Sequence, residues 1–168
     1  MLDGFGIAMR LAALVLAGAF LFCSGAFARQ DRITKLQSRY DGATDPVHKA
    51  RDLQPLGHAQ FKQIEELAAA GNFNDALAKL KQYRDEAQET LKALDAKGVN
   101  AEKHPNGFKQ LEFSIREALR RLDGILVTLA GDEQRPFRKI REQLVEMDGH
   151  LLHELFPLQP SPNGAARN

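Results

Sequence analysis

Few residues in this chain are suited to chemistry, and three of them stand close together. His150 and His153 are three apart, Glu146 lies one helical turn before His150, and Glu154 follows His153 directly. On a helix, Glu146, His150 and His153 share one edge. Imidazole nitrogen with carboxylate oxygen is a donor set that zinc, iron or copper accepts. Leu144, Met147 and Leu151 set the inward row of the same segment, so His150 flanks the core and His153 turns outward. Di-metal bundles take inward carboxylates from several helices with a Glu-x-x-His pair, and neither inward face supplies that pair. His48, His58 and His104 fall at helix starts or in loops. Covalent haem would need Cys-x-x-Cys-His, which is missing; a non-covalent haem would use Met147 or a histidine, and Met147 sits at core spacing.

Signatures of catalysis are missing too. The sequence has no Gly-x-Ser-x-Gly, Walker loop, His-Glu-x-x-His or dinucleotide fingerprint. Beyond residue 28 the serines are Ser38, Ser114 and Ser161, none with a histidine nearby in sequence, and a carboxylate pair such as Glu65 with Glu66 is generic. The expectation is a protein that is not an enzyme and carries no cofactor.

The elements that position these residues begin after a distinct leader. Arg10 precedes an uninterrupted apolar run, Leu11 to Phe22, and Ala26-Phe27-Ala28 places small residues at the minus-three and minus-one positions of a cut between Ala28 and Arg29. A basic residue, a short apolar stretch and Ala-x-Ala make a secretory signal peptide over residues 1–28. The run is shorter than the roughly 20 apolar residues of a bilayer span, so no stable membrane span is expected after cleavage. Met1 to Gly6 carries Asp3 and no base, and Met9-Arg10 is the better beginning for such a leader. Cys23 fits a lipobox poorly because bulky Phe22 precedes it. A cut after Ala28 leaves a mature chain without cysteine, stabilised by packing alone.

Residues 29–54 are expected as a polar, partly helical lead-in. Ile33, Leu36 and Tyr40 recur at helical spacing up to Asp41-Gly42, and Asp45-Pro46 supplies an N-cap and a first-turn proline for a short helix that Pro55 restarts or kinks. A helical bundle domain is expected over 55–156. Its first helix carries Leu56, Phe61, Ile64 and Leu67 or Ala68 and stops at Gly71. The second, about Asn74 to Lys97, carries Leu77, Leu80, Ala87, Leu91 and Leu94 with Tyr83 beside them. The third starts near Pro105, carries Phe108, Leu111, Ile115, Ala118, Leu122, Ile125 and Leu129, and is closed by Gly131. The fourth begins after Asp132 and carries Phe137, Ile140, Leu144, Met147, Leu151 and Leu155, ending before Pro157. Ile125 to Leu129 is the one stretch with strand character, and its neighbours decide for helix. The fold class is therefore all-α. Short connections favour an antiparallel up-down-up-down bundle of about four helices, with coiled-coil-like crossing angles of roughly 20° from the seven-residue spacing. The tail, 157–168, is rich in proline and polar residues and is expected to be disordered.

Across Gly57 to Leu94, the turn Ala70-Gly71-Asn72-Phe73-Asn74-Asp75-Ala76 resembles that of a tetratricopeptide hairpin, with Gly71, Phe73, Ala76 and Leu80 at matching positions. The resemblance covers about one unit, and stepping 34 residues on from Gly71 reaches Pro105 without a second copy, so it implies one local hairpin. More broadly, the chain resembles small exported helical proteins of bacteria.

Charge excludes some partners. With 23 Lys and Arg against 22 Asp and Glu, the formal net charge is +1, and no global field draws nucleic acid. Arg116, Arg120 and Arg121, and then Arg135, Arg138, Lys139 and Arg141, form local basic stretches. Glu112 with Arg116, Glu117 with Arg121 and Glu142 with Arg138 stand at pairing distance along a helix. The reading that follows is an exported protein, periplasmic or secreted, acting as a non-enzymatic interaction or structural module on an envelope protein partner. Its candidate surfaces are the hairpin and Leu152, Phe156 and Leu158, which could equally cap the bottom of the bundle. The alternative is a metal- or haem-binding bundle using His150, His153 and Glu146.

Overall fold

The computed structural model describes residues 24–157. Every regular element among them is a helix: α1 Ser24–Gly42, α2 Pro46–Ala69, α3 Phe73–Ala96, α4 Phe108–Thr128 and α5 Gly131–Leu155. Most of the expected leader and the tail beyond Pro157 lie outside the described residues. The expected cut between Ala28 and Arg29 falls within the span of α1.

The all-α expectation holds among the described residues, but these form five helices where about four are expected, and the bundle begins well before residue 55. Asp45 caps α2 by accepting from the His48 N–H, and Pro46 occupies the first turn, where its missing donor costs nothing. From there α2 is continuous through Pro55. Leu53 and Leu56 are fully buried on either side of the proline, with Phe61 and Ile64 beyond, and this burial outweighs the hydrogen bond that proline removes. The polar lead-in is part of the same body, because Tyr40 of α1 and Ala50 of α2 belong to the core.

Helix ends follow local chemistry. Gly71, at φ +76°, ends α2 in a Schellman turn: its N–H donates to the Ala68 carbonyl and that of Asn72 to the Leu67 carbonyl. The third expected helix starts later than Pro105 because Gly107 adopts φ +90°, with its Cα against Leu94 and Val47. Gly131 does not close that helix; it is the first residue of α5. The chain is extended at Leu129 and Ala130, and the Gln134 side chain reaches back to donate to the Leu126 and Leu129 carbonyls. A side chain from the next helix thus does the capping expected of a glycine.

α2 lies at the centre, packed on α1, α3 and α4, while α5 covers α3 and α4. The expected rows of α4 and α5 are buried throughout, from Phe108 to Leu129 and from Phe137 to Leu155. α1 is fastened by polar contacts. Glu86 of α3 is only 8% exposed, yet among the described residues no cation pairs with its carboxylate. Instead Gln37 of α1 and Gln82 donate to one oxygen and Gln60 of α2 to the other, at 2.8–3.0 Å. Beside it, the Tyr40 hydroxyl donates to the Glu86 backbone carbonyl at 2.8 Å and lies 2.9 Å from Thr90 Oγ1. Burial pushes the Tyr40 ionisation well above its ordinary range, so the phenol stays neutral. No described helix is long and apolar enough to cross a membrane.

Candidate functional site: a groove between α1, α2 and α4

The three residues expected as a metal edge are not gathered into a centre. Among the described residues no group of three or more His, Cys, Asp and Glu side chains is placed to hold a metal ion. His150 turns to α3, where its Nε2 lies 3.2 Å from an Asp95 carboxylate oxygen. His153 is exposed, and Glu146 lines a shallow recess with Gln88, Leu91, Gln143 and His150. The three do share one edge of α5, but that edge faces solvent and Asp95 of α3 engages His150, so they do not converge on a common point.

Pairing on the basic stretches is partly as expected. Arg116 meets Glu112 at 2.7 Å. Arg121, however, leaves Glu117 and reaches across to α2, where it forms two hydrogen bonds to the Glu65 carboxylate, at 2.7 and 2.6 Å, and a third to the His58 carbonyl. Its guanidinium also lies 5.5 Å from the centre of the Phe61 ring. Glu117 is taken by Arg120, whose hydrogen bonds hold that carboxyl below the usual range. Arg138 meets Gln134 rather than Glu142, and Arg141 meets Asp123 of α4. Leu152 and Phe156 do not cap the bundle. They are exposed, and Leu155 is the residue buried at that end; Leu158 lies outside the described residues.

What sequence patterning missed is a cavity of about 400 Å³ between α1, α2 and α4. It exists because facing positions are small. α2 presents Pro55 and Gly57, and α4 presents Ser114 and Ala118, so the helices leave a trough that larger side chains would fill. A Cβ on Gly57 would fall 2.6 Å from Cε2 of Tyr83, so glycine also allows the α3 tyrosine to come forward as the back wall. The Tyr83 hydroxyl donates to the Ser114 carbonyl at 2.9 Å, and its ring meets Phe61 edge-on at 5.1 Å. Burial drives the Tyr83 ionisation far above its normal value, and the hydroxyl is a permanent donor.

Leu53, Phe61 and Tyr83 form the apolar floor, and Phe113, 56% exposed, stands as an unburied aromatic wall. The rim carries Arg32, His58, Glu117 and Arg121. Arg121 and Glu117 are committed to Glu65 and Arg120. Arg32 has no ion pair or side-chain hydrogen bond among the described residues, so the groove keeps one uncommitted positive charge. The Ser114 hydroxyl donates to the Gln110 carbonyl in its own helix, and no histidine is bonded to it. The chemistry of this lining suits an apolar group that carries a negative charge. The spacing of Gly57, Ser114 and Ala118 was visible in the sequence, but only the pairing of α2 with α4 shows that they face one another.

Comparison with family models, with curated proteins and with solved structures returns no match.

Proposed function

We propose that this chain is an exported, non-enzymatic helical-bundle module of the cell envelope, periplasmic or secreted, which acts by binding an envelope protein partner in the α1–α2–α4 groove. The observation that carries this reading is the groove itself: apolar at its floor, backed by buried aromatics, walled by an exposed phenylalanine and supplied with the Arg32 guanidinium, which is unpaired among the described residues. Sites of 300–1,000 Å³ with an apolar lining and a few polar groups are the usual form of a binding pocket. Exposed aromatic and arginine side chains are the residue types that dominate binding energy at interfaces. The leader-like sequence of residues 1–28 supports export. An antiparallel order of the helices is supported by the short turns and by the ion pair between Lys97, just past α3, and Asp45, the cap of α2. The tetratricopeptide-like turn between α2 and α3 is consistent with a hairpin used as a binding scaffold.

A photo-crosslinking amino acid placed at Phe113, with the same substitution at Val127 as control, tests the groove in bacterial cells expressing the full gene. Val127 is 85% exposed on the same helix but lies outside the groove. The expected result is a discrete adduct from position 113 in the envelope fraction, lost when Arg32→Glu is added, with nothing comparable from position 127. Adducts from both positions, or a protein that stays in the cytoplasm with residues 1–28 attached, would refute the reading.

A further inference from the structure

We infer that the groove takes the C-terminal residue of a partner polypeptide, with its apolar side chain on the floor and its free α-carboxylate at Arg32. This deepens the binding role proposed above and rests on it. Three observations lead to it. The lining is apolar apart from its rim, and among the described residues the rim charges are paired except for Arg32: Arg121 is satisfied by Glu65 and Glu117 by Arg120. The complement of such a lining is an apolar group with a single negative charge. The volume of about 400 Å³ accommodates one large side chain with its own backbone, not a length of folded element.

Chain geometry then selects the terminus. In an extended peptide, neighbouring side chains point to opposite sides, so an internal Asp or Glu next to an apolar residue aims its carboxylate away from the groove that holds its neighbour. At a C-terminal residue the side chain and the carboxylate leave the same Cα, and both fit into one small recess. A free fatty or aryl acid has the same two groups. Phe113 is 56% exposed and Arg32 is exposed, so the groove is not closed over, and a small acid there would leave part of its surface in water. A peptide terminus continues beyond the opening and gains contacts outside it.

Titration of the purified, isotope-labelled protein with acetyl-Ala-Ala-Ala-Phe tests this, using the free acid, its C-terminal amide and octanoate below its micelle concentration as the three probes. The free-acid peptide is expected to shift the backbone resonances of Gly57, Ser114 and Ala118 and to bind about three- to fivefold more tightly than the amide, the effect of one partly exposed ion pair. Arg32→Gln, an exposed change on α1 that leaves the circular dichroism unchanged, should bring acid and amide to equal affinity. Phe113→Ala should weaken both alike. Equal binding of acid and amide to the unaltered protein, octanoate binding as tightly as the peptide, or shifts that avoid the groove would each overturn the inference. A Phe113 crosslink that persists alongside such a result would leave the groove as the binding surface and remove only the terminus as its occupant. Loss of both would remove the two together.

Discussion

Gly57 and Tyr83 are in such close apposition that a methyl group on the glycine would lie 2.6 Å from Cε2 of the tyrosine ring. The ring has little room to yield, because its hydroxyl is bonded to the Ser114 carbonyl and it packs in a T-shaped pair with Phe61. Three helices, α2, α3 and α4, are thereby registered against one another at the back of the groove. Gly57→Ala gains about 1 kcal/mol of helix propensity and meets an overpacking penalty of about 1–3 kcal/mol. The expected net loss is about 0–2 kcal/mol, read from urea midpoints. In a Tyr83→Leu background the penalty should vanish and the alanine should become neutral or stabilising. A purely additive pair of substitutions would show that the close approach is not what demands glycine.

Glu86 joins α1 to the bundle. Its carboxylate is the common acceptor for amides from α1, α2 and α3, and its removal leaves the buried Gln60 amide without an acceptor while Gln37 keeps only Asp41 and Gln82 only Gln37. Glu86→Ala should cost about 2–3 kcal/mol. The loss should also be local: amide hydrogen exchange over residues 33–42 should accelerate far more than exchange in α4 or α5. Uniform acceleration across all five helices would mean that the network supports the fold generally and does not fasten α1 in particular.

Legibility of the sequence divides along the same lines. The rows Phe108 to Leu129 and Phe137 to Leu155 could be read directly, because burial at helical spacing depends only on residue type and period. The stop at Gly71 was legible for the same reason. Pro55 misled, since a proline marks a break only where flanking burial does not override it, and here Leu53 and Leu56 do. That also misplaced the start of the bundle and the count of helices. Pairings along one helix, such as Glu112 with Arg116, follow from spacing. Those between helices, Arg121 with Glu65 or His150 with Asp95, depend on which faces meet, and the chain order does not state that. The groove belongs to this second kind.

Asp148 of α5 provides a pH-dependent test. One of its carboxylate oxygens is buried without a hydrogen-bond partner, and desolvation, then the nearby Glu112, raise its pKa, against a smaller opposing effect of Arg116. A carboxyl whose folded pKa exceeds its unfolded one is protonated without penalty in acid. It loses stability as pH rises from the unfolded pKa through the folded one. Asp148→Asn removes that ionisation and should stabilise the protein at neutral pH while making little difference near about pH 3. Urea midpoints at the two pH values give the comparison. Equal effects at both would attribute the change to shape or hydrogen bonding, with no part for the charge.

Arg121 tests whether the pairing of α2 with α4 depends on geometry or only on charge. The guanidinium makes two hydrogen bonds to Glu65 and one to the His58 carbonyl, and its plane lies over Phe61, all with a side chain only 13% exposed. A lysine keeps the charge but offers a single ammonium in place of the planar fork, so it cannot make both carboxylate bonds and reach the carbonyl as well. Arg121→Lys should therefore cost about 1–2 kcal/mol. The loss should persist at high salt, because Arg121 is largely shielded from water and depends on directional bonds. Arg116→Lys serves as the control: that side chain is 65% exposed on a pair within one helix, and the substitution should cost less than about 0.5 kcal/mol. Equal, small and salt-sensitive effects at the two positions would reduce Arg121 to an ordinary surface charge. The wall it gives the groove would then have to be held by packing against Phe61 alone.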